Sequence, residues 1–231
     1  MGLYEIAGLT VQMHVTGRTL AQAAPYACSQ DGPVDGVIDC PVQQIMECNP
    51  HLTDPDLAEY LGTGAGFARL LLQHRGFQLH ASAVALEGKG YLFTGPCGMG
   101  KSTHARKWCR LLGATPVNDD KPALRRLESG WMVWGTPWSG KHDVSSPIHV
   151  PVQAVACLRQ AEENRITRLS PQEALPYIMS QCIRQLNVSQ MDLQLELVNQ
   201  FLQEIPIYLL ECNLEDGAVA VSHGAMGEVA G

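Results

Sequence analysis

Eight consecutive residues, Gly95-Pro96-Cys97-Gly98-Met99-Gly100-Lys101-Ser102, satisfy the pattern G-x-x-x-x-G-K-[S/T] at every fixed position. The run follows an apolar segment, Tyr91 to Phe93, and precedes a stretch with helical character from Lys101 to Leu112. A strand before and a helix after are the context in which this pattern cradles phosphate. Glycines let backbone N–H groups turn inward around an anion, and the helix amino terminus adds about half a positive charge. Lys101 is expected to reach the β- and γ-phosphates and Ser102 to offer its hydroxyl to magnesium. The alternative is a glycine-rich turn before a structural helix, which leaves the flanking strand and helix signals as coincidence. Cys97 is either a small spacer or a thiol activated by the helix terminus.

The helix is expected to end at Gly113, with Ala114 to Val117 leading into Asn118-Asp119-Asp120. Asp119 stands eighteen residues beyond Lys101, enough for a helix of about twelve residues, a turn and a returning strand. The acidic pair is thereby expected beside the phosphate loop. Adjacent carboxylates in a strand face opposite ways, but at a strand end both can serve one metal-nucleotide centre. One would hold magnesium through water and the other would take a proton from an attacking hydroxyl. A plain polar turn is the alternative for the pair taken alone.

Elsewhere the signals are weaker. Residues 1–50 read as an irregular β region, with Tyr4 to Val15 strand-like, a turn cluster at Ser29-Gln30-Asp31-Gly32-Pro33 and a short strand at Val37-Ile38. A helix is expected from Asp54-Pro55, with an acidic cap and Pro in its first turn. Gly62, Gly64 and Gly66 interrupt it and suggest a bent or split helix packed closely; a dinucleotide loop would need a preceding strand. Leu79 to Leu86 and Tyr91 to Phe93 flank Glu87-Gly88-Lys89-Gly90 as a hairpin. Trp131, Trp134 and Trp138 fall in or beside a second hairpin around Ser129-Gly130, either as a recognition platform or as sheet core. The loop after them places Lys141 beside Gly140, suited to a flexible cover that contacts phosphate or substrate. Ser170-Pro171-Gln172-Glu173 is a capping box opening a helix towards Ile183, Ser189 is a candidate cap for another through Phe201, and Pro206 to Cys212 reads as a closing strand. The Gly/Ala-rich residues 217–231 read as a frayed tail or a short, poorly ordered helix.

Sixteen Lys+Arg against 23 Asp+Glu leave a net charge of −7, the wrong sign for a surface that lives on nucleic-acid phosphates or anionic lipid. Any anionic ligand must be held by a local site. No stretch approaches 18 apolar residues, and the amino terminus lacks the marks of a signal peptide. Eight cysteines without a C-x-x-C pair, in a chain large enough for its own core, suit reduced thiols. A cytoplasmic protein is therefore expected, with neither nucleic acid nor membrane as partner; self-association into a homo-oligomer is open.

The segment His80 to Pro122 resembles the HPr kinase/phosphorylase family and its smaller relatives, which share a phosphate-loop fold with phosphoenolpyruvate carboxykinases. The features that carry the resemblance are His80-Ala81-Ser82, the hairpin, Gly95 through Thr103 and the double aspartate. It continues through Gly135-Thr136-Pro137-Trp138-Ser139-Gly140-Lys141 and Val155 to Leu175, covering roughly residues 55 to 210. The resemblance implies an α/β fold: a mixed β-sheet core with flanking helices, occupying 51–216, an amino-terminal β-rich region over 1–50 and a tail over 217–231. It implies a kinase using ATP and Mg2+, with a serine hydroxyl of a peptide or protein as acceptor. A small-molecule kinase, or a nucleotide-dependent peptide-recognition module with little turnover, are the alternatives. By the same resemblance Gly95, Pro96, Cys97, Gly98, Met99, Gly100, Lys101, Ser102 and Thr103 hold the nucleotide. Ser102 and Asp120 serve magnesium, Asp119 is the base, and His80 lies near the transferred group; a satisfied core histidine starting a buried strand is the alternative for His80. Cys97 departs from the serine usual in the loop, and the extra domains of the longer bifunctional members have no signature here.

Overall fold

The computed structural model describes residues 1–29, 33–140, 142–184, 186–213 and 215–227. Its first element is a hairpin of β1 (Gly2–Ile6) and β2 (Leu9–Met13), so the strand-like stretch over Tyr4 to Val15 is made of two strands. The turn residues Ala7 and Gly8 both have positive φ, the conformation a two-residue hairpin requires. After α1 (Gly17–Ala23) and a 3₁₀ turn, β3 (Gly36–Ile38) pairs parallel to β2, completing a three-stranded sheet. Next come α2 (Val42–Cys48) and α3 (Pro55–Gln73). Asp54 caps α3 by accepting the Asp56 N–H at 3.0 Å.

Helix α3 is continuous over 19 residues, which corrects the interruption expected at its glycines, while the close packing expected there is present. Those positions serve close approach. A Cβ at Gly62 would lie 2.5 Å from Cys40 Sγ, and one at Gly66 2.7 Å from Ile38 Cγ2. Buried Tyr4, Ile6, Val11 and Met13 join Tyr60, Phe67, Leu71, Ala123 and Trp138 in one cluster, so the amino-terminal region packs through α3 onto the rest.

The main sheet comprises β4 (Gly76–Gln78), β5 (Ala81–Leu86), β6 (Lys89–Thr94), β7 (Thr115–Asn118), β8 (Ala123–Leu127), β9 (Gly130–Trp134), β10 (His149–Gln160), β11 (Arg165–Leu169) and β12 (Ile207–Cys212). Strand β10 is parallel to both β6 and β12; β5 and β7 extend the sheet antiparallel on one side, and β11 flanks β12. The first residues of β10 pair instead with β9, leading on to β8 and β4. The result is a mixed α/β architecture.

Alternation along the strands decides what each layer receives. Tyr91 and Phe93 of β6, with Ala154, Ala156 and Leu158 of β10, face α4 (Lys101–Leu112) and α7 (Gly217–Gly227). Leu92, Val155 and Cys157 face the opposite layer, where α5 (Pro171–Ser180) and α6 (Val188–Glu204) pack. Helix α5 opens on the expected capping box but stops at Ser180, and α6 is capped by Asn187, which accepts the Gln190 N–H, in place of Ser189.

One sequence expectation changes here, and one alternative is decided. Residues 217–227, expected as a tail or a poorly ordered helix, form a helix that buries Ala218, Val219 and Met226. The tryptophans form no exposed platform: Trp131 meets Phe77 and Phe201 edge-on in the core, and Trp138 stacks on Phe67 with ring centroids 5.0 Å apart. Trp134 stacks on His149 at 3.9 Å.

Candidate functional site

Strand β6 ends at Thr94, and the chain reverses through Gly95–Gly100 into α4. Gly95 has φ +146° and a Cβ there would meet the Leu158 carbonyl at 3.2 Å, so β10 passes close against the loop. Gly100, at φ +93°, is the helix N-cap, a left-handed conformation that glycine adopts without a Cβ penalty. Lys101 is buried, and its ammonium donates to the carbonyls of Gly95 at 2.9 Å and Pro96 at 3.2 Å. Burial lowers its pKa, and the nearby Asp120 carboxylate partly opposes that. The first helical residue thus places a positive group across the mouth of its own loop.

The opposite rim comes from β5 and the end of β7. Buried Ser82 lies 3.3 Å from Ser102 Oγ and donates to the Asp119 carbonyl at 3.0 Å, tying the acidic turn to the start of α4. Buried Asn118 shapes that turn. Its Oδ1 accepts the N–H groups of Asp120 at 2.9 Å and Lys121 at 2.7 Å, while its Nδ2 donates to the carbonyls of Thr136 and Trp138.

The two carboxylates consequently splay. Asp119 borders a hollow of about 30 Å³ together with Ser102, Arg106 and His142, and accepts the Gly140 N–H. Burial pushes its pKa up; the Gly140 hydrogen bond opposes this and the neighbouring Asp120 adds to it. Asp120 borders a cleft of about 410 Å³ on the other side. Its Oδ1 lies 3.1 Å from His80 Nε2 and its Oδ2 3.6 Å from Lys121 Nζ. Burial alone would raise its pKa, but the His80 hydrogen bond and the charges of Lys121, His80 and Lys101 outweigh burial and hold it below the ordinary aspartate value. His80 is fixed in turn by Gln181, whose Oε1 lies 3.1 Å from Nδ1 and whose carbonyl accepts the His80 N–H at 2.9 Å.

The 410 Å³ cleft has an apolar wall of Tyr60, Gly64, Ala68 and Trp138 and a polar end of His80, Asp120 and Lys121. Lys101, Ser102, Asp119, Asp120 and His80 therefore lie at one end of strands β5, β6 and β7, with Asp119 and Asp120 facing different hollows. Gly98 and Cys97 lie on the exposed loop, and Lys141 lies outside the described residues. Reading the sequence missed Ser82, Asn118 and Gln181 as parts of this arrangement. The signal for Asn118 was present, since Asn before a polar turn bonds the backbone two and three residues on; nothing local marked Gln181, 101 positions from His80.

Among the described residues no group of three or more His, Cys, Asp and Glu converges as a metal cage. What this place offers a cation is sparser: the Ser102 hydroxyl and the Asp119 carboxylate border one hollow and Asp120 faces the cleft on the other side, oxygen donors of the kind magnesium takes alongside phosphate oxygens.

Residues 67–218 match the family model described as "ScmC: SynChlorMet cassette protein ScmC", more than half of the 231 residues. No curated protein matches the chain. Among solved structures it is similar to "Structure of the Hpr(Ser) kinase/phosphatase from Coxiella burnetii" at 14% identity, with 65% of this chain and 92% of that chain covered and a TM-score of 0.36.

Proposed function

We propose that this chain, which belongs to the ScmC family of SynChlorMet cassette proteins, is a phosphotransferase that moves the γ-phosphoryl group of ATP to a hydroxyl, with a serine of a peptide or protein as acceptor. The observation that carries the reading is geometric: a buried lysine lies across a glycine-rich loop, and at the same end of the strands stand two carboxylates in unlike surroundings, Asp120 against His80 and Lys121 and Asp119 against the Gly140 amide, which lower the pKa of the first and leave that of the second raised by burial. Separated pKa values in a carboxylate pair are how one site keeps an ion-binding anion and a proton acceptor side by side.

Gly95 through Thr103 and the Lys101 ammonium would hold the phosphates. Ser102 and Asp120 would serve Mg2+, which when bound neutralises charge on the phosphates. Asp119, raised by burial, would accept the proton of the acceptor hydroxyl; His80, hydrogen-bonded to Asp120, would lie near the transferred group. The acceptor enters through the 410 Å³ cleft, which has an apolar wall and, at its polar end, His80, Asp120 and Lys121. We place the reaction in the cytoplasm, in keeping with eight free cysteines and with no described helix long and apolar enough to cross a membrane.

One observation favours a second assignment within the same reaction. Asp120 and His80, not Asp119, line the large cleft, so an acceptor seated there meets Asp120 first. In that reading Asp120 takes the proton and Asp119, beside Ser102 in the smaller hollow, serves the cation. Labelled ATP with Mg2+ and candidate peptides separates the functions: phosphopeptide supports the kinase, a phosphorylated metabolite the small-molecule alternative, and bound nucleotide without product the recognition module. Asp119→Asn should abolish transfer and spare nucleotide binding; undiminished transfer assigns the base to Asp120.

A further inference from the structure

The amino-terminal region makes a concentrated set of contacts to one place outside itself, the turn between β9 and β10 that supplies Gly140 to Asp119. Arg18 of α1 donates to Asp143 Oδ1 at 2.7 Å and to the Gly140 carbonyl at 3.4 Å. Gln22, one turn further on, also donates to Asp143 and accepts the Ser139 hydroxyl at 3.2 Å. Tyr26 OH lies 2.6 Å from Ser145 Oγ. The Arg18 guanidinium sits 4.5 Å over the Tyr60 ring, and the Tyr60 hydroxyl donates to the Ser139 carbonyl at 2.7 Å. Helix α1 is itself seated by Glu59 of α3, which accepts both the N–H and the hydroxyl of Thr16.

The far end of the turn is tied to β7, through Asp119 N–H to the Val144 carbonyl and Ser146 N–H to the Val117 carbonyl. At residues 139, 140 and 143, by contrast, the partners outside the turn are Asp119, Tyr60, Arg18 and Gln22. Asp143 also holds φ +51°, a left-handed conformation that persists in a non-glycine residue when its surroundings over-determine it. An isolated exposed ion pair does little, but Arg18 adds a backbone carbonyl and an aromatic face to its carboxylate partner.

We infer that the amino-terminal region holds this turn against the Asp119 carboxylate, with Arg18 as the principal positioning residue. Its catalytic meaning rests on the proposed role of Asp119; the clamp itself does not.

Amide hydrogen exchange on the full chain reads the contact directly, because the Gly140 N–H is the group bound to Asp119. In Arg18→Ala, exchange at Gly140 and at residues 142–146 should rise at least tenfold while α4 and β10 keep their protection; Arg18→Lys should recover part of it by keeping the pair with Asp143. Asp143→Asn, which tolerates the left-handed conformation and leaves α1 intact, should loosen the turn to a smaller degree and serves if Arg18→Ala fails to fold. Unchanged Gly140 exchange in the folded variants overturns the clamp. With Mg2+ and ATP alone, phosphate release should fall about tenfold in Arg18→Ala with KM for ATP within twofold. A loosened turn with full turnover keeps the clamp but overturns its positioning role. Wild-type chain that neither releases phosphate from ATP nor phosphorylates any of the candidate peptides, but keeps a protected Gly140, counts against the phosphotransferase reading and not against the clamp.

Discussion

The hollow beside Asp119 and the cleft beside Asp120 are separated by one residue of backbone, and they solve opposite problems. Asp119 accepts the Gly140 amide, from a turn that we propose the amino-terminal region holds in place, and burial is the largest influence on its pKa. Asp120 is the more enclosed of the two, yet the imidazole and ammonium within reach hold its pKa below the ordinary aspartate value. Identical side chains thus acquire different proton affinities from the Asn118 turn that sends them to opposite sides. The comparison teaches that the motif supplies carboxylates, while the contacts around each decide what it can do.

The largest expected effect tests that division. Asp119→Asn should lower phosphoryl transfer by about 1,000-fold, within the range of general base catalysis, with ATP affinity unchanged by calorimetry. An Asp120→Asn variant should instead raise the Mg2+ concentration needed for half-maximal turnover. The reverse pattern would exchange the two roles.

Core packing away from the edge sets the next scale. Trp131→Ala removes the ring that meets Phe77 and Phe201 and should cost about 3–5 kcal/mol in urea unfolding while leaving ATP affinity of the folded fraction intact. Lys101→Ala removes charge-assisted hydrogen bonds to phosphate and should weaken ATP binding by roughly 10- to 100-fold. Transfer should rise with pH through an inflection above the ordinary aspartate value, because Asp119 must be ionised to accept a proton and burial raises its pKa.

The smallest effects concern stability, and they should differ in sign. A carboxyl with a depressed folded pKa contributes stability above its unfolded pKa that is lost as pH falls through the folded value; Asp120 is of this kind. One with a raised folded pKa costs stability once ionised, and Asp119 is of that kind. At neutral pH Asp120→Asn should therefore lower the melting temperature, by about 1 kcal/mol equivalent, whereas Asp119→Asn, whose amide oxygen can still accept from Gly140, should leave it unchanged or slightly raised. Equal shifts of the same sign would erase the distinction.

Legibility in the sequence tracked how local each cause is. The Gly95–Ser102 loop was readable because glycines with positive φ and a following helix leave a fixed spacing, and the return of Asp119 followed from helix and strand lengths. The capping box at Ser170 was equally local. Continuity of α3 was hidden because its glycines are explained by Cys40, Ile38 and Trp138, which lie far along the chain. The packing of α7 was hidden for the same reason: small residues look loose until Trp108 and β12 provide a surface for them. His80 was legible as a candidate, yet its orientation belongs to Gln181 on a helix end that no local pattern announces.

Strand β10 has a consequence of its own. Its first residues are laddered to β9, and its later ones to β6 and β12. The half of the sheet that carries the glycine loop and the half that leads through β8 to β4 therefore share one continuous spine. Denaturant cannot melt either half without unzipping a strand common to both, so the main sheet should disappear in one sigmoidal step.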